Sequence, residues 1–430
     1  MSGDALNKIY QNAALLSIAD MAQKGSTGIL ALVIAHSYGP AVYGDYAAAT
    51  SACGLFMMVT WLGFEQELTR RGGLDRSTLP RSLALSLAEV GITDAVALIA
   101  LLGFLWAGVY SGQTTLLALL IGAALVVSRF QLVFRHVCLV LQESTTTALI
   151  QGVSTTLIVV TTLALVALGR SIVSVAAAQL IVAAIVTSLW LIWMRRRLTL
   201  PRMAITRRDL IGFLKGSLPF ASTNLVWVAY FNFDTFLLSL YRPDSEVGVY
   251  AAVYRIIALN YVFGYAIANT FTPVLFERQR SKEQFEQAVA HLMRTMTAVA
   301  VPVAAGLFFL AAVMVPVVLG RDYGSGVLIA RILSVAVFFR LLNFGLCEML
   351  TAGGRQPTRI WMEGGMLGAN VLFNCLLIPL YGAIGAAIAT VGAELLLFAA
   401  GLAMWPKIRV PRPSAAQSAD LLATLPAEEA

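Results

Sequence analysis

Seven basic side chains fall inside stretches that are otherwise almost free of charge: Lys24, Arg129, Arg135, Arg255, Arg294, Arg331 and Arg340. A charge at the centre of a bilayer costs about 2.5–3.5 kcal/mol on insertion scales, so it faces a cavity or a partner. Arg294, Arg331 and Arg135 lie within a turn or two of the ends of their stretches, where a long side chain reaches the interface by snorkelling. Lys24, Arg129, Arg255 and Arg340 lie deeper. A guanidinium stays charged at any relevant pH and meets carboxylate or phosphate oxygens through paired N–H donors. Polar and aromatic groups accompany these cations. Ser128 and Gln131 flank Arg129 and Arg135. Asn224, Trp227, Tyr230, Phe231, Asn232 and Asp234 form one run, and Tyr250, Tyr254, Arg255, Asn260 and Tyr261 form another. The pattern describes a polar, aromatic and cationic cavity, with Lys24, Arg129, Arg135, Arg255, Arg340, Asn224 and Tyr254 as its candidate ligand contacts.

Acidic residues at comparable depth are Asp20, Asp94, Asp234 and Glu394, so the deep charges nearly balance. Pairing inside the protein therefore competes with ligand contact for each of them, and charge alone leaves anionic and cationic cargoes equally open. Asp20 and Lys24, spaced i, i+4 on one helix, can neutralise each other. Carboxylates within spans can also couple an ion, with Asp20 and, by depth, Glu348 as candidates. Glu65, Glu67, Glu89 and Glu363 lie nearer the span ends and read as solvated. No Gly-x-x-x-x-Gly-Lys-Ser/Thr loop is present, which argues against ATP hydrolysis by this chain. His36, His136 and His291 show no metal spacing. Cys53, Cys138, Cys347 and Cys375 show no zinc or redox spacing and read as small residues at helix interfaces. No cofactor or metal is expected, and no catalytic residue is assigned: the chain does not read as an enzyme.

The surrounding elements follow from hydropathy. The chain is 59% hydrophobic and 12% charged, half the charge of an average soluble protein at about 25%. Apolar runs longer than the roughly 18 residues of a transmembrane candidate recur throughout. Twelve spans are predicted, at 10–36, 46–69, 83–110, 115–141, 147–168, 172–194, 212–240, 248–275, 291–319, 325–352, 358–380 and 382–405. The runs are continuous rather than alternating, which excludes a β-barrel. The first is long and carries Asp20 and Lys24, unlike a signal peptide. With the N-terminus inside, 20 of the 30 basic residues fall in cytoplasmic segments or at cytoplasmic span ends, where Lys215 and Arg359 are counted, and three in external loops, Arg170, Arg242 and Arg321. That asymmetry places both termini in the cytoplasm. The net charge of +7 then reflects topology and the anionic inner leaflet rather than nucleic-acid binding. External loops are short and leave no room for a catalytic domain. The cytoplasmic segment 277–289 reads as an amphipathic interfacial helix.

The chain also repeats itself. Gly44-Asp45-Tyr46-Ala47-Ala48 and Gly248-Val249-Tyr250-Ala251-Ala252 share Gly-x-Tyr-Ala-Ala at an offset of 204 residues. The first opens the second span and the second opens the eighth, a shift of six helices. An even shift preserves orientation, as in repeats related by an axis along the membrane normal. The fold class is thus an all-α polytopic membrane protein, with twelve transmembrane helices in two parallel six-helix lobes around a central cavity. The lobes span 1–194 and 211–405, joined by a basic cytoplasmic linker at 195–210. Residues 406–430, rich in Pro, Ala and Ser, read as a disordered cytoplasmic tail.

Several motifs then carry a family resemblance: YGPAVYGDYA (38–47), LKGSLPFAS (214–222), EVGVYAAVYR (246–255), VPVVLGRDYGSG (315–326), LTAGGRQPT (350–358) and LLIPLYGAIGAAIATV (376–391). Together they resemble the polysaccharide transport branch of the multidrug/oligosaccharidyl-lipid/polysaccharide exporter superfamily. The resemblance covers the whole chain. It implies a flippase for polyprenyl-pyrophosphate-linked oligosaccharide repeat units of O-antigen, capsule or exopolysaccharide, working by alternating access in the bacterial cytoplasmic (inner) membrane. It implies the lipid bilayer, a polysaccharide polymerase and export machinery as partners, and a lateral gap for the lipid near helices one and eight. It adds Asp234 to the ion-coupling candidates. Lipid II flippases of the same superfamily usually carry two further helices. The competing readings are a multidrug and toxin extrusion-type cation antiporter, which the deep arginines would oppose, a membrane-embedded polymerase or ligase, which would need a large external loop, and a structural scaffold.

Overall fold

A computed structural model of the chain describes residues 3–110, 112–197 and 205–405; the side chains of residues 3–18, 219, 222–224 and 280 are outside the described set. The middle of the basic linker and the whole C-terminal tail, which the sequence reads as disordered, therefore lie outside the described residues. Among those described, the chain forms twelve α-helices. They are α1 (Gly3–Met57), α2 (Phe64–Leu74), α3 (Leu79–Trp106), α4 (Gly112–Val140), α5 (Ser144–Ala167), α6 (Ile172–Arg197), α7 (Arg207–Tyr241), α8 (Asp244–Leu259), α9 (Tyr261–Glu277), α10 (Lys282–Val318), α11 (Gly326–Ala352) and α12 (Gln356–Met404). Among the described residues nine helical stretches are long and apolar enough to cross a membrane. This is a multi-pass membrane protein.

Helices and expected spans do not correspond one to one. The stretches Ala19–Leu74 and Gln356–Met404 contain 56 and 49 residues. Straight, they would measure roughly 84 and 74 Å at 1.5 Å per residue, more than twice a hydrocarbon core of about 30 Å. Both bend where the sequence places a span boundary. Gly39 (φ 75°, ψ 171°) turns α1 and Gly382 (φ 57°, ψ −133°) turns α12, in backbone regions that side chains disfavour. Pro40 follows the first bend and Pro379 precedes the second. Two spans expected to be continuous are broken instead. The second is interrupted between Met57 and Phe64, and the eighth at Asn260 between α8 and α9. The segment 277–289 does not form a separate surface helix: α10 starts at Lys282 and continues unbroken to Val318, because no helix-breaking residue separates the polar start from the apolar run.

The chain divides into two compact units. The first comprises 1–256, 312–329 and 374–386, and the second 257–311, 330–373 and 387–430. In the first unit α4 packs against α1, α2, α3 and α6, around a core that includes Phe64, Leu68, Leu83, Val133, Phe134, Val137, Trp190 and Phe213. Helix α7 is joined to it at its start. Thr206 and Asp209 form a reciprocal N-terminal cap and Arg81 donates to Asp209 at 2.8 Å. Thr206 and then Arg81 hold the Asp209 carboxyl below its ordinary value. This cap therefore contributes at pH above the ordinary carboxylate range and fades as pH falls through the lowered value.

Each bend frees backbone groups that lipid cannot satisfy, and the first unit supplies partners for them. The Tyr323 hydroxyl donates to the Ala35 carbonyl at 2.7 Å, beside the Gly39 bend. Arg242 donates to the Pro379 carbonyl at 3.0 Å, and Glu246 accepts from the Ala383 N–H at 2.7 Å. The bend in α12 is thus capped on both sides by two residues near the start of α8.

The repeat has a physical meaning in this unit: its two glycines lie at one helix crossing. A Cβ on Gly44 would collide with the Asp244 carbonyl, and one on Gly248 with the Pro40 carbonyl. The contact is reciprocal between α1 and α8. Small residues that let backbones approach are how helices associate in lipid, where the hydrophobic effect offers little. Gly44→Leu and Gly248→Leu are each expected to destabilise the chain by at least about 1–3 kcal/mol, the usual cost of overpacking. Gly152→Ala, whose new methyl meets nothing, should instead gain up to about 1 kcal/mol of helix propensity. Thermal unfolding of the purified chain in detergent checks this. An unchanged Tm for Gly44→Leu would contradict the close approach.

Candidate functional site

The deep arginines separate into two kinds. Arg129, on α4, is buried with Glu65 of α2 at 3.3 Å, and it donates to the Thr60 carbonyl freed by the break before α2. Its guanidinium lies 4.7 Å from the Trp61 ring centroid and 4.8 Å from that of Phe64, close enough for cation–π attraction. Arg135, one to two turns further, donates to both Asp20 oxygens at 2.9 and 2.8 Å, and Gln151 donates to the same carboxylate at 2.7 Å. It is held by a counter-charge inside the protein. Asp20 is thus engaged by Arg135 and Gln151, with Lys24 in Coulombic range on its own helix; Lys24 itself is exposed. The other polar groups of α4 serve packing. Gln131 donates to the Ala183 carbonyl and to Thr187 on α6, and Ser128 bonds its own helix.

The second unit contains a counterpart. Arg340, on α11, is buried against Glu394 at 3.0 Å, and Asn343 donates to the same carboxylate at 2.8 Å. It lies 5.8 Å from the Tyr261 ring centroid and 5.2 Å from that of Phe344. Glu348 is half-buried, pairs with Arg359 at 3.1 Å and accepts from Thr272 at 3.0 Å. Arg359 also holds Glu363 at 3.0 Å.

Arg255 is different. It sits within a predicted span yet is exposed, and among the described residues it has no acidic partner. Tyr43 and Tyr46 of α1 lie within its electrostatic reach. Beside it Tyr254 stacks on Tyr250 at 5.9 Å and meets Phe231 edge-on at 6.2 Å, and Phe231 stacks on Trp227 at 5.4 Å. Tyr46 exchanges hydrogen bonds with Gln179. The tyrosine of the first repeat copy, Tyr46, thus lies by this guanidinium, whereas that of the second, Tyr250, is turned to Tyr254 and Asp234. Asp234, below this ladder on α7, is buried and accepts from Tyr250 at 2.9 Å and Asn374 at 2.6 Å. The Asn224 side chain is outside the described residues.

Residues 9–279 match the family model described as polysaccharide biosynthesis protein. The chain belongs to this family. A curated relative, the probable low-salt glycan biosynthesis flippase Agl15 of Haloferax volcanii, is 20% identical over 159 residues, 36% of this chain. The chain spans about a third of that relative's length, 34%. Among solved structures, the lipid II flippase MurJ in an inward closed conformation superposes with a TM-score of 0.70 at 15% identity, over 91% of this chain and 87% of that one. An inward-facing multidrug resistance MATE family transporter superposes with a TM-score of 0.71 at 19% identity, over 96% and 100%. The fold is shared equally with a lipid flippase and a drug transporter, so it does not choose between them.

In this family member the structure corrects one sequence expectation. Glu65, Glu67, Glu89 and Glu363 are buried, at 5% exposure or less, rather than solvated. Distance from a span end does not say which way a side chain faces, and all four point into the protein. Glu67 accepts from Arg70 and Arg71 at 2.7 and 2.6 Å, and Arg71 reaches on to the Gly212 carbonyl of α7. Sequence reasoning does not single out Tyr43 and Tyr46 as site residues. Their spacing from the repeat glycine is the available signal.

Removing one partner of a buried ion pair leaves an uncompensated charge at a cost of about 3–5 kcal/mol, whereas apolar replacement of both is often tolerated. Glu394→Gln is therefore expected to reduce Tm and folded yield sharply. Arg340→Met combined with Glu394→Leu should be closer to wild type than either single change. Fluorescence-detected gel filtration after heating reads both. A double variant as unstable as the sum of the singles would mean that the pair is not the relevant unit.

Proposed function

We propose that this chain is a flippase for polyprenyl-pyrophosphate-linked oligosaccharide in surface polysaccharide synthesis. On this reading twelve helices cross the cytoplasmic membrane with both termini inside, as two six-helix lobes at 1–194 and 211–405 joined by the 195–210 linker. The lobes alternate access to the cargo head group while the lipid stays in the bilayer. A polymerase and export machinery would take up the product, and the chain itself would do no covalent chemistry.

The observation that carries this reading is Arg255. Arg129, Arg135 and Arg340 each face a carboxylate, but Arg255 is exposed among tyrosines with no acidic partner among the described residues. An uncompensated guanidinium attracts phosphate oxygens. Half-buried Trp227 and Phe231, backed by the buried Tyr254 and Tyr250, and the Tyr46–Gln179 pair offer ring faces, donors and acceptors suited to sugars. The same surface repels an organic cation, which disfavours drug efflux despite the shared fold. Lys24 is the second exposed candidate contact, and Arg129, Arg135 and Arg340 are assigned the support of the helices around the cavity. Asp20, Asp234 and Glu348 remain ion-coupling candidates, each already held by neighbouring donors.

A deletion strain complemented on plasmids tests this. Arg255→Ala should reach the membrane at wild-type level yet accumulate lipid-linked oligosaccharide and lose surface polymer. A hydrogen bond to a charged group is worth about 1.5–3 kcal/mol. Each ~1.4 kcal/mol of barrier is a factor of ten in rate, so flipping should fall roughly 10- to 100-fold. Arg255→Lys should restore part of it. Full complementation by Arg255→Ala would remove that residue from the cargo site. No change in either glycan pool on deletion, with raised sensitivity to cationic drugs, would favour the exporter.

A further inference from the structure

Glu89 and Asp94 lie in the middle of α3, about 15 and 22 Å along a helix of 28 residues at 1.5 Å per residue. Both are 3% exposed. Neither the two Glu89 oxygens nor the two Asp94 oxygens have a hydrogen-bond partner among the described residues. Ser86, one turn before Glu89 and fully buried, has an unpartnered hydroxyl as well. Among the described residues the one cation in range of both carboxyls is Arg129, which also faces Glu65. Glu65 and Glu67 of α2 are the other charged groups near Glu89. Helices α1 and α7 also pack on α3, and among the described residues they bring no charged group to either carboxyl.

One guanidinium thus faces three buried carboxyls, and it makes its ion pair with Glu65. Two further anions that share one already paired guanidinium and have no hydrogen bond are disfavoured there, and a buried carboxyl in that position takes up a proton instead. Among the described residues no three or more His, Cys, Asp or Glu side chains are grouped to hold a metal ion, and a proton neutralises a single enclosed carboxyl without further ligands.

We propose that Glu89 and Asp94 are a proton-binding pair in the interior of α3, with Glu65 the ionised partner of Arg129. Loss of a proton breaks one O–H bond and delivers the proton to water. The new carboxylate on α3 then competes with Glu65 on α2 for Arg129, so proton occupancy sets how α2, α3 and α4 hold together. If the chain transports as proposed above, this pair is where a proton gradient acts on it. That use rests on the transport reading, but the binding itself does not.

The test needs no cargo. Infrared spectra of the full chain in lipid, taken across a pH series, report protonated carboxyls by their carbonyl stretch. At neutral pH, Glu89→Gln and Asp94→Asn should each remove part of that band and the double variant should remove both parts. Glu65→Gln should leave it intact. The share belonging to the pair should disappear as pH is raised. Gel filtration and helical circular dichroism establish that each variant is folded, and the two single variants carry the test if the double variant is not. Spectra of the Glu89 and Asp94 variants that superimpose on wild type, or a band lost with Glu65→Gln instead, would overturn the proposal. Either result can occur with flipping intact, so failure here is separable from failure of the flippase reading.

Discussion

A hydrocarbon interior offers no water to a polar group, and most irregular features of this chain answer to that constraint. Each bend or break in a helix exposes carbonyls and N–H groups, and side chains are found at those places to meet them. Tyr323 serves Ala35 near the Gly39 bend, and Arg242 and Glu246 serve the Gly382 bend. Arg129 takes the Thr60 carbonyl at the break before α2. A charge placed to cap a break must itself be neutralised, and Glu65 provides that. The buried ion pair is thus a consequence of the broken helix as much as a stabilising contact in its own right.

The internal repeat can be followed through several levels. In sequence it is five residues. In backbone it is a helix broken about fifteen residues after the repeat glycine, between Met57 and Phe64 in one copy and at Asn260 in the other. In packing it is an arginine lying over an aromatic near each break, Arg129 of α4 over Trp61 and Arg340 of α11 over Tyr261. In contact it is Gly44 and Gly248 at one crossing in the first unit. A duplicated segment whose two copies meet each other must fit itself. Glycine is the residue that fits when the same backbone approaches from both sides.

Much of this is legible in the sequence because hydropathy reports a solvent directly. The existence of the spans and the boundaries that become bends at Gly39 and Gly382 follow from runs and glycines. What is not legible depends on helix rotation. Glu89 is ten residues inside α3, yet nothing in its sequence position shows that it faces α2 and α4. Arg135 lies near a span end, where snorkelling is available, but Asp20 lies more than a hundred residues away in sequence and reaches it only through the packing of α1 on α4. The continuous helix from Lys282 to Val318 escapes sequence reasoning for a related reason: amphipathic periodicity marks a surface, not whether the helix continues beyond it.

Charge counting also changes meaning once partners are assigned. Four deep bases against four deep acids read as neutrality, and neutrality gives no preference for cargo. The structure distributes those charges unevenly. Arg129 and Arg340 are matched by Glu65 and Glu394, and Arg135 is matched by Asp20. Asp234 is held by neutral donors. Arg255 is left beside Tyr43 and Tyr46 with no acidic partner among the described residues, while the carboxyls of Glu89 and Asp94 are enclosed in α3. A site for an anion and a site for a proton can coexist in one bundle only if the paired arginines keep the two from neutralising each other. On the flippase reading, that separation is the role of Arg129: it anchors α4 to α2, and it keeps Glu65 from joining Glu89 and Asp94 as a third proton acceptor.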